Sequence, residues 1–498
     1  MRRVLAGLAA VLCGLLVPVM AQQPAAVPAI QVQVGDLLAA EARFGDALAA
    51  YRLALGASDA DIRMRAGTGV VTMLLRMGAF DEARDEALAL RGSMPDAATV
   101  RAMAGDALWA AGLFEEAEAD FDAALRHNPD EPRARHGRAR SLAAQSRFDA
   151  ALVEAQAALR LDPREPEFHY TIASLYERMR RFDEAAGALV SYVNLMPNRD
   201  RSEKAAWSRA QIRYLRSFEG RRPFEFIGPP VVHTVPFRIE RDKLIVRGKV
   251  NGGPAMDFIV DTGSEQTVIS REVARRAGVA PVTYMQSAGV GEVGFRGLQV
   301  GRLEQLEIGT FKVKNVTCLI KNPPIANLPT RESESFSPLA LGLSMTIDYG
   351  RRLITMAEEL PDEPSHTTLP LRMHRLAMVR GLVGGNPVSF AVDTGGEVIS
   401  ISARTAEALN APASLRRVPL KVYGTSGWDP NAFLLPYVDL AFSGLLYPRT
   451  SVVVLDLDAP SALLGFKLGG IVGHRFLRDY RVTIDLPRAR LGLNPIAH

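Results

Sequence analysis

Two stretches of like design carry the residues that could do chemistry: Phe258-Ile259-Val260-Asp261-Thr262-Gly263 and Phe390-Ala391-Val392-Asp393-Thr394-Gly395. Each is a short apolar run ending in Asp-Thr-Gly. Such a run bounded by glycine reads as a buried strand that delivers its aspartate at the point where it leaves the core. A buried carboxylate must be hydrogen-bonded, paired or protonated, and two brought close together cannot both ionise. One proton shared between Asp261 and Asp393 would supply an acid and a base at one spot. One carboxylate could then take a proton from water while the other protonates a carbonyl oxygen, a route to peptide-bond hydrolysis that needs neither a metal nor a covalent intermediate.

Asp-Thr-Gly alone is also a good turn sequence. Its surroundings argue for more. Aligned without gaps, Lys243 to Ser270 and Arg375 to Ser402 match at 11 of 28 positions, among them Gly252/Gly384, Gly253/Gly385, Phe258/Phe390, Glu265/Glu397 and Ser270/Ser402. This is an internal duplication.

At these residues the chain resembles the aspartic proteases of the retropepsin-like and pepsin-like type. Each Asp-Thr-Gly follows an apolar strand and precedes an apolar segment, Thr267 to Ser270 or Val398 to Ser402. Later come Ala340-Leu341-Gly342 and Ile471-Val472-Gly473, read as the equivalent segments beneath the two catalytic loops, then closing strands with Thr346-Ile347-Asp348 and Thr483-Ile484-Asp485. The resemblance spans about residues 237–498 and implies catalytic Asp261 and Asp393, with Thr262 and Thr394 locking the two loops together. Gly263 and Gly395 would let backbone amides approach the carboxylates. Ser264 offers a hydroxyl near its aspartate where the second copy has Gly396, so unequal hydrogen bonding is expected. The first lobe is expected to lack a short helix present in the second.

A site of this type needs a cover that excludes water. The glycine-rich segments Gln286 to Gly297 and Tyr423 to Ala432 are candidate flaps, with Tyr284, Tyr423 and Trp428 as flap aromatics. The first contains Gly289-Val290-Gly291-Glu292-Val293-Gly294, formally a dinucleotide-binding fingerprint. That motif requires a helix after it, and Phe295 to Ile308 is strand-like instead. The eight histidines lack metal-ligand spacing, so no metal and no cofactor is expected. Serine and cysteine nucleophile motifs are missing as well.

The elements that position this site follow from periodicity. Phe80, Phe114, Phe148 and Phe182 stand 34 residues apart, each followed three residues later by an alanine, and Pro95, Pro129, Pro163 and Pro197 keep the same period. This resembles tetratricopeptide repeats, helix pairs that stack into a solenoid. About five repeats are expected over residues 34–220, beginning with a unit at Phe44 and Ala47 and closed by a charged capping helix within Arg199 to Glu219. A proline-rich linker follows at 221–236. Two β-rich lobes are then expected at 237–360 and 368–498, and a fragment from about Phe224 should fold by itself. The fold class is an all-α solenoid followed by an all-β bilobal domain.

Lysine and arginine exceed aspartate and glutamate by 59 − 55 = 4, too small an excess to argue for nucleic acid. Residues 1–21 have the layout of a cleaved secretory signal: Arg2-Arg3, an apolar stretch, then Val19-Met20-Ala21. The expected location is therefore periplasmic or secreted, with membrane attachment only if the segment is retained. Cleavage would remove Cys13 and leave Cys318 as the lone cysteine, so packing must hold the fold without disulfides. The expected partners are a peptide or protein substrate and a protein docked in the solenoid groove. The enzymatic reading is an exported aspartic endopeptidase. The other is a binder that holds peptides without cutting them, although two buried carboxyls serve no purpose in such a protein.

Overall fold

A computed structural model describes residues 26–228, 231–291, 295–321, 334–409, 417–424 and 426–496. The proposed signal segment lies outside them. Among the described residues no helix is long and apolar enough to cross a membrane.

Five helix pairs form the N-terminal solenoid, from Ala26–Ala40 with Phe44–Ala54 to Pro166–Arg178 with Phe182–Leu195. The 34-residue period has a steric cause. Each periodic phenylalanine opens the second helix of its pair, and Ala83, Ala117, Ala151 and Ala185 are fully buried where helices meet. At Gly105 an added Cβ would come within 2.5 Å of the Phe121 ring, so the small residue is what lets these helices approach. Pro132 and Pro166 begin their helices, where a missing N–H costs nothing.

The C-terminal half is β-rich, and its two lobes repeat one plan. In each, a hairpin (Lys243–Val250 with Met256–Val260; Ala377–Val383 with Asn386–Val392) delivers the Asp-Thr-Gly loop. A short strand (Thr267–Ile269; Ser400–Ser402) and a six-residue helix follow. Ser270 and Ser402, matched in the alignment, each accept a hydrogen bond from a backbone N–H in the first turn of that helix, from Val273 and Thr405.

Six antiparallel strands of a 13-stranded sheet that continues into the second lobe join the lobes, in the order Thr367–Met373, Arg490–Pro495, Tyr480–Asp485, Ser344–Asp348, Leu353–Ala357, His233–Pro236. The two closing strands pair at the centre of the six, where Thr346 opposes Thr483 and their hydroxyls lie 3.0 Å apart. The stretch 221–236, expected as a linker, supplies two strands. Glu225–Phe226 pairs within the first lobe, and His233–Pro236 edges the interlobe sheet.

The solenoid does not stand apart. One apolar core runs from Phe182, Leu189 and Phe218 into both lobes, reaching Phe258 and Phe390. A second joins Trp109 and Phe114 to Phe466 and Leu468. Charged contacts border this seam: Arg372 forks onto Glu118 at 2.8 and 3.0 Å, Arg380 meets Glu116 at 2.6 Å, and Lys467 meets Asp81 at 2.9 Å. A fragment from about Phe224 would expose the apolar surface that these shared cores cover. The expected capping helix, observed at Glu203–Arg216, packs on the last repeat, where Gln211 donates to Glu177, and its Tyr214 also reaches the Gly301 carbonyl of the first lobe.

Candidate active site

Asp261 and Asp393, one from each lobe, meet closely enough for a hydrogen bond between their carboxyls. Each ends a strand that is continued by a cross-strand bond: the Asp261 amide donates to the Phe336 carbonyl and the Asp393 amide to the Val472 carbonyl, both at 3.0 Å. The loops interlock through their threonines. The Thr262 amide donates to Thr394 Oγ1 at 3.1 Å, the Thr394 amide to Thr262 Oγ1 at 3.0 Å, and each hydroxyl donates at 2.7 Å to a carbonyl of the opposite strand, Val392 or Val260. Both threonines are buried, so every one of these groups would otherwise be an unpartnered dipole.

The glycines hold the carboxylates in two ways. Gly263 and Gly395 donate their amides to the Oδ1 atoms of Asp261 (3.0 Å) and Asp393 (2.7 Å). Each also packs against the aspartate of the other lobe: a Cβ on Gly395 would lie 2.6 Å from Asp261 Oδ1, and one on Gly263 2.5 Å from Asp393 Oδ1. Burial, followed by the charge of Asp393 and a hydrogen bond to it, holds the Asp261 carboxyl well above the usual carboxylate range. The Gly263 amide and Lys243 oppose that rise.

Three expectations at the site are corrected. The Ser264 hydroxyl donates to the Gln266 carbonyl at 2.7 Å and shapes the turn after the triplet instead of binding Asp261. The segment beneath the first catalytic loop is Glu334–Phe336, not Ala340-Leu341-Gly342. It runs parallel to Phe258–Val260 just as Gly470–Val472 runs parallel to Phe390–Val392. Leu339–Leu341 is a 3₁₀ turn ended by left-handed Gly342 (φ 74°), and it stands where the second lobe has the helix His474–Leu477. The first lobe thus keeps a short helical turn after all.

Charges missed by the sequence reading tie the lobes at either side of the dyad. Arg375 Nε donates to Glu265 at 2.6 Å, while Lys243 lies 3.7 Å from Glu397 and also donates to the Gly395 carbonyl. The signal was present in the alignment: a basic residue stands 261 − 243 = 393 − 375 = 18 positions before each aspartate, and a glutamate four positions after it.

The candidate flaps are hairpins. Pro281–Ala288 pairs with Phe295–Ile308, and Val422–Gly424 with Gly427–Asp429. Residues 292–294 and 425 lie outside the described residues. The tips meet: the Gly289 amide donates to Ser426 Oγ and the Ser426 amide to the Val290 carbonyl, each at 3.0 Å. Tyr284 and Tyr423 are exposed, and Tyr423 packs edge-on against Trp428 across its hairpin. Strand Phe295–Ile308 after the glycine-rich tip bears out the rejection of a dinucleotide fold. The solenoid braces the first flap, since Arg213 donates to Thr283 Oγ1 at 3.2 Å and Trp207 lies against Gly297.

Residues 246–344 and 379–469 match the aspartyl protease family, and residues 71–132, 102–166 and 136–193 match tetratricopeptide repeats. The chain carries an aspartyl-protease-like domain behind tetratricopeptide repeats. The first family's matched segments take in both aspartates of the protease-like domain. None of the curated proteins matches the chain in sequence. Among solved structures, a thermophilic tetratricopeptide-repeat protein of Thermus thermophilus is 22% identical, with a TM-score of 0.31, over 36% of this chain and 98% of its own. A tetratricopeptide-repeat protein of Parabacteroides merdae is 18% identical, with a TM-score of 0.29, over 39% and 74%.

Proposed function

We propose that the protein is an exported aspartic endopeptidase that hydrolyses peptide bonds with Asp261 and Asp393. The observation that carries this reading is the mutual contact of the two half-buried carboxyls, held by amides that point at them and by threonines that fix their loops. In the reaction, one carboxylate takes a proton from the attacking water. The water oxygen bonds to the scissile carbonyl carbon while the other carboxyl gives its proton to the carbonyl oxygen. Collapse of the resulting diol returns the carbonyl, breaks the C–N bond, and sends a proton to the leaving amine. Thr262, Gly263, Thr394 and Gly395 position the dyad.

The joined flap tips support this reading, because a hairpin cover that closes on a bound peptide would shield the reaction from bulk solvent. Export rests on the layout of residues 1–21. Docking of a protein partner is supported by a hollow of about 410 Å³ on the solenoid, lined by residues including Tyr51, Arg65, Thr72, Arg76, Met103 and Arg133. Incubating the purified full chain with a mixed peptide library from pH 4 to 8 tests the function. Peptides cut by the wild type and left whole by Asp393→Asn support it; a library left whole by the wild type contradicts it.

A further inference from the structure

The loop that carries Asp393 is held from both lobes. Three successive carbonyls accept hydrogen bonds: that of Gly395 from the Lys243 ammonium, that of Gly396 from the His474 amide at 2.8 Å, and that of Glu397 from the Arg475 amide at 3.0 Å. Of these donors Lys243 alone comes from the first lobe, and it alone is charged. The peptide it grips joins two glycines that border the Asp393 carboxyl, since Gly395 donates its amide to Oδ1 at 2.7 Å and a Cβ on Gly396 would lie 3.0 Å from Oδ2. Gly395 packs against Asp261 as well, where an added Cβ would come within 2.6 Å of Oδ1. Gly395 thus links the ammonium to both carboxyls.

A tight turn delivers Lys243 to this place. Arg241 and Asp242 both have left-handed backbone (φ 51° and 55°) and reverse strand Arg238–Glu240 into strand Lys243–Val250. Asp242 lies 3.5 Å from Arg475, and the ammonium lies 3.7 Å from Glu397, so the turn is tied to the second lobe. The other titratable neighbours are Glu240, opposite Lys243 in the hairpin and engaged by Arg238, and His474, which burial pushes toward its neutral form. The duplicated position behaves differently. Arg375 donates to Glu265 at 2.6 Å and to the Leu463 carbonyl of its own lobe at 3.2 Å.

We propose that Lys243 is a positioning residue for the dyad: it fixes the Asp393 loop through the Gly395 carbonyl, and its charge favours the singly ionised pair that activates water. The proposal rests on the peptidase reading and gives the two duplicated basic residues different tasks, Arg375 holding the lobes together and Lys243 tuning the carboxyls. A cation beside two carboxyls lowers the pH at which each ionises. Lys243 acts on Asp261 in this sense, against the rise caused by burial and by Asp393. Loss of the charge therefore moves both limbs of the pH–rate profile upward.

The test compares full-length Lys243→Met and Lys243→Gln, two uncharged replacements, and Arg375→Met with the wild type. The pH dependence of kcat/KM is measured on a cleaved peptide, and thermal melting of each variant reports folding. Both Lys243 variants are expected to shift the limbs upward by about half a pH unit or more, whereas Arg375→Met lowers the melting temperature and leaves the limbs in place. Limbs unmoved in the folded Lys243 variants, or moved equally by Arg375→Met, overturn the proposal.

A second measurement is independent of cleavage. The ionised carboxylate costs more without its cation, so the melting-temperature gain from Asp261→Asn at pH 8 should be larger in Lys243→Met than in the wild type, with the two gains converging toward pH 4. Equal gains at pH 8 overturn the role of Lys243. A larger gain in a protein whose wild type cuts no peptide leaves the hold of Lys243 on the carboxyls standing and overturns the peptidase reading instead.

Discussion

Arg375 of the second lobe grips Glu265 of the first, and the duplication repeats the contact in reverse as Lys243 with Glu397. A single pair would be a local accident of packing, but two related by the internal repeat act as matched clamps on either side of the dyad. The clamps differ in strength, because the Arg375 contact is short and recessed whereas Glu397 is more than half exposed.

Removing the stronger clamp should therefore cost more. Glu265→Gln leaves a recessed guanidinium without its carboxylate, and a melting temperature lower by about 2–4 °C is expected. Glu397→Gln should shift it by less. Equal shifts in the two variants, read by calorimetry, would count against the clamps being unequal.

A chain beginning near Phe224 should fail to fold. It loses Trp109, Phe114, Phe182 and Phe218, which share cores with the lobes, and exposes the apolar surface they cover. Aggregation or a non-cooperative melt is expected by circular dichroism and size exclusion. A soluble fragment with a sharp transition would show that the lobes hold together without the solenoid.

Much of this architecture was legible in the sequence, because its causes are local. The 34-residue period records where helices must pack tightly, as at Gly105, and the Asp-Thr-Gly repeats record a strand that ends in a carboxylate. The misplaced segment beneath the first loop shows the limit. Ser335-Phe336-Ser337 lacks the glycine found in Ile471-Val472-Gly473, while Gly342 nearby serves only as the left-handed end of a 3₁₀ turn, so composition pointed to the wrong residues. The docking of the solenoid was invisible for another reason. Phe182 and Trp109 have the same composition signal whether they pack within a repeat or against a distant lobe, and only three-dimensional contact separates the two cases.

Gly395→Ala should abolish cleavage while leaving a folded protein. The added methyl meets Asp261 Oδ1 at 2.6 Å, so the carboxylates must part or the loop must shift. A loss of about 10²-fold or more in kcat/KM is expected from a displacement of this size. Near-normal kinetics in a protein confirmed to be alanine at this position would contradict the close packing of the dyad.

The raised Asp261 carboxyl makes a prediction about stability. Its folded pKa lies above the unfolded value of about 3.9, so its favourable contribution is complete below that pH and is lost as pH rises through the folded value. Asn at this position carries no charge to bury. Asp261→Asn should thus melt higher than the wild type under alkaline conditions, with the gain fading toward pH 4. A gain that does not change with pH would show that it comes from something other than the buried charge.

The central claim is that one chain builds one dyad from two different aspartates. Cleavage rates of Asp261→Asn, Asp393→Asn and the double variant, measured over a range of protein concentrations, test it most directly. Each single variant should fall by about 10²–10⁴-fold, to the level of the double, because either change removes a member of the acid–base pair. Activity per molecule of wild type should not depend on concentration. Substantial activity in Asp261→Asn that disappears only when Asp393→Asn is added would mean that like aspartates pair between chains, and would contradict the account.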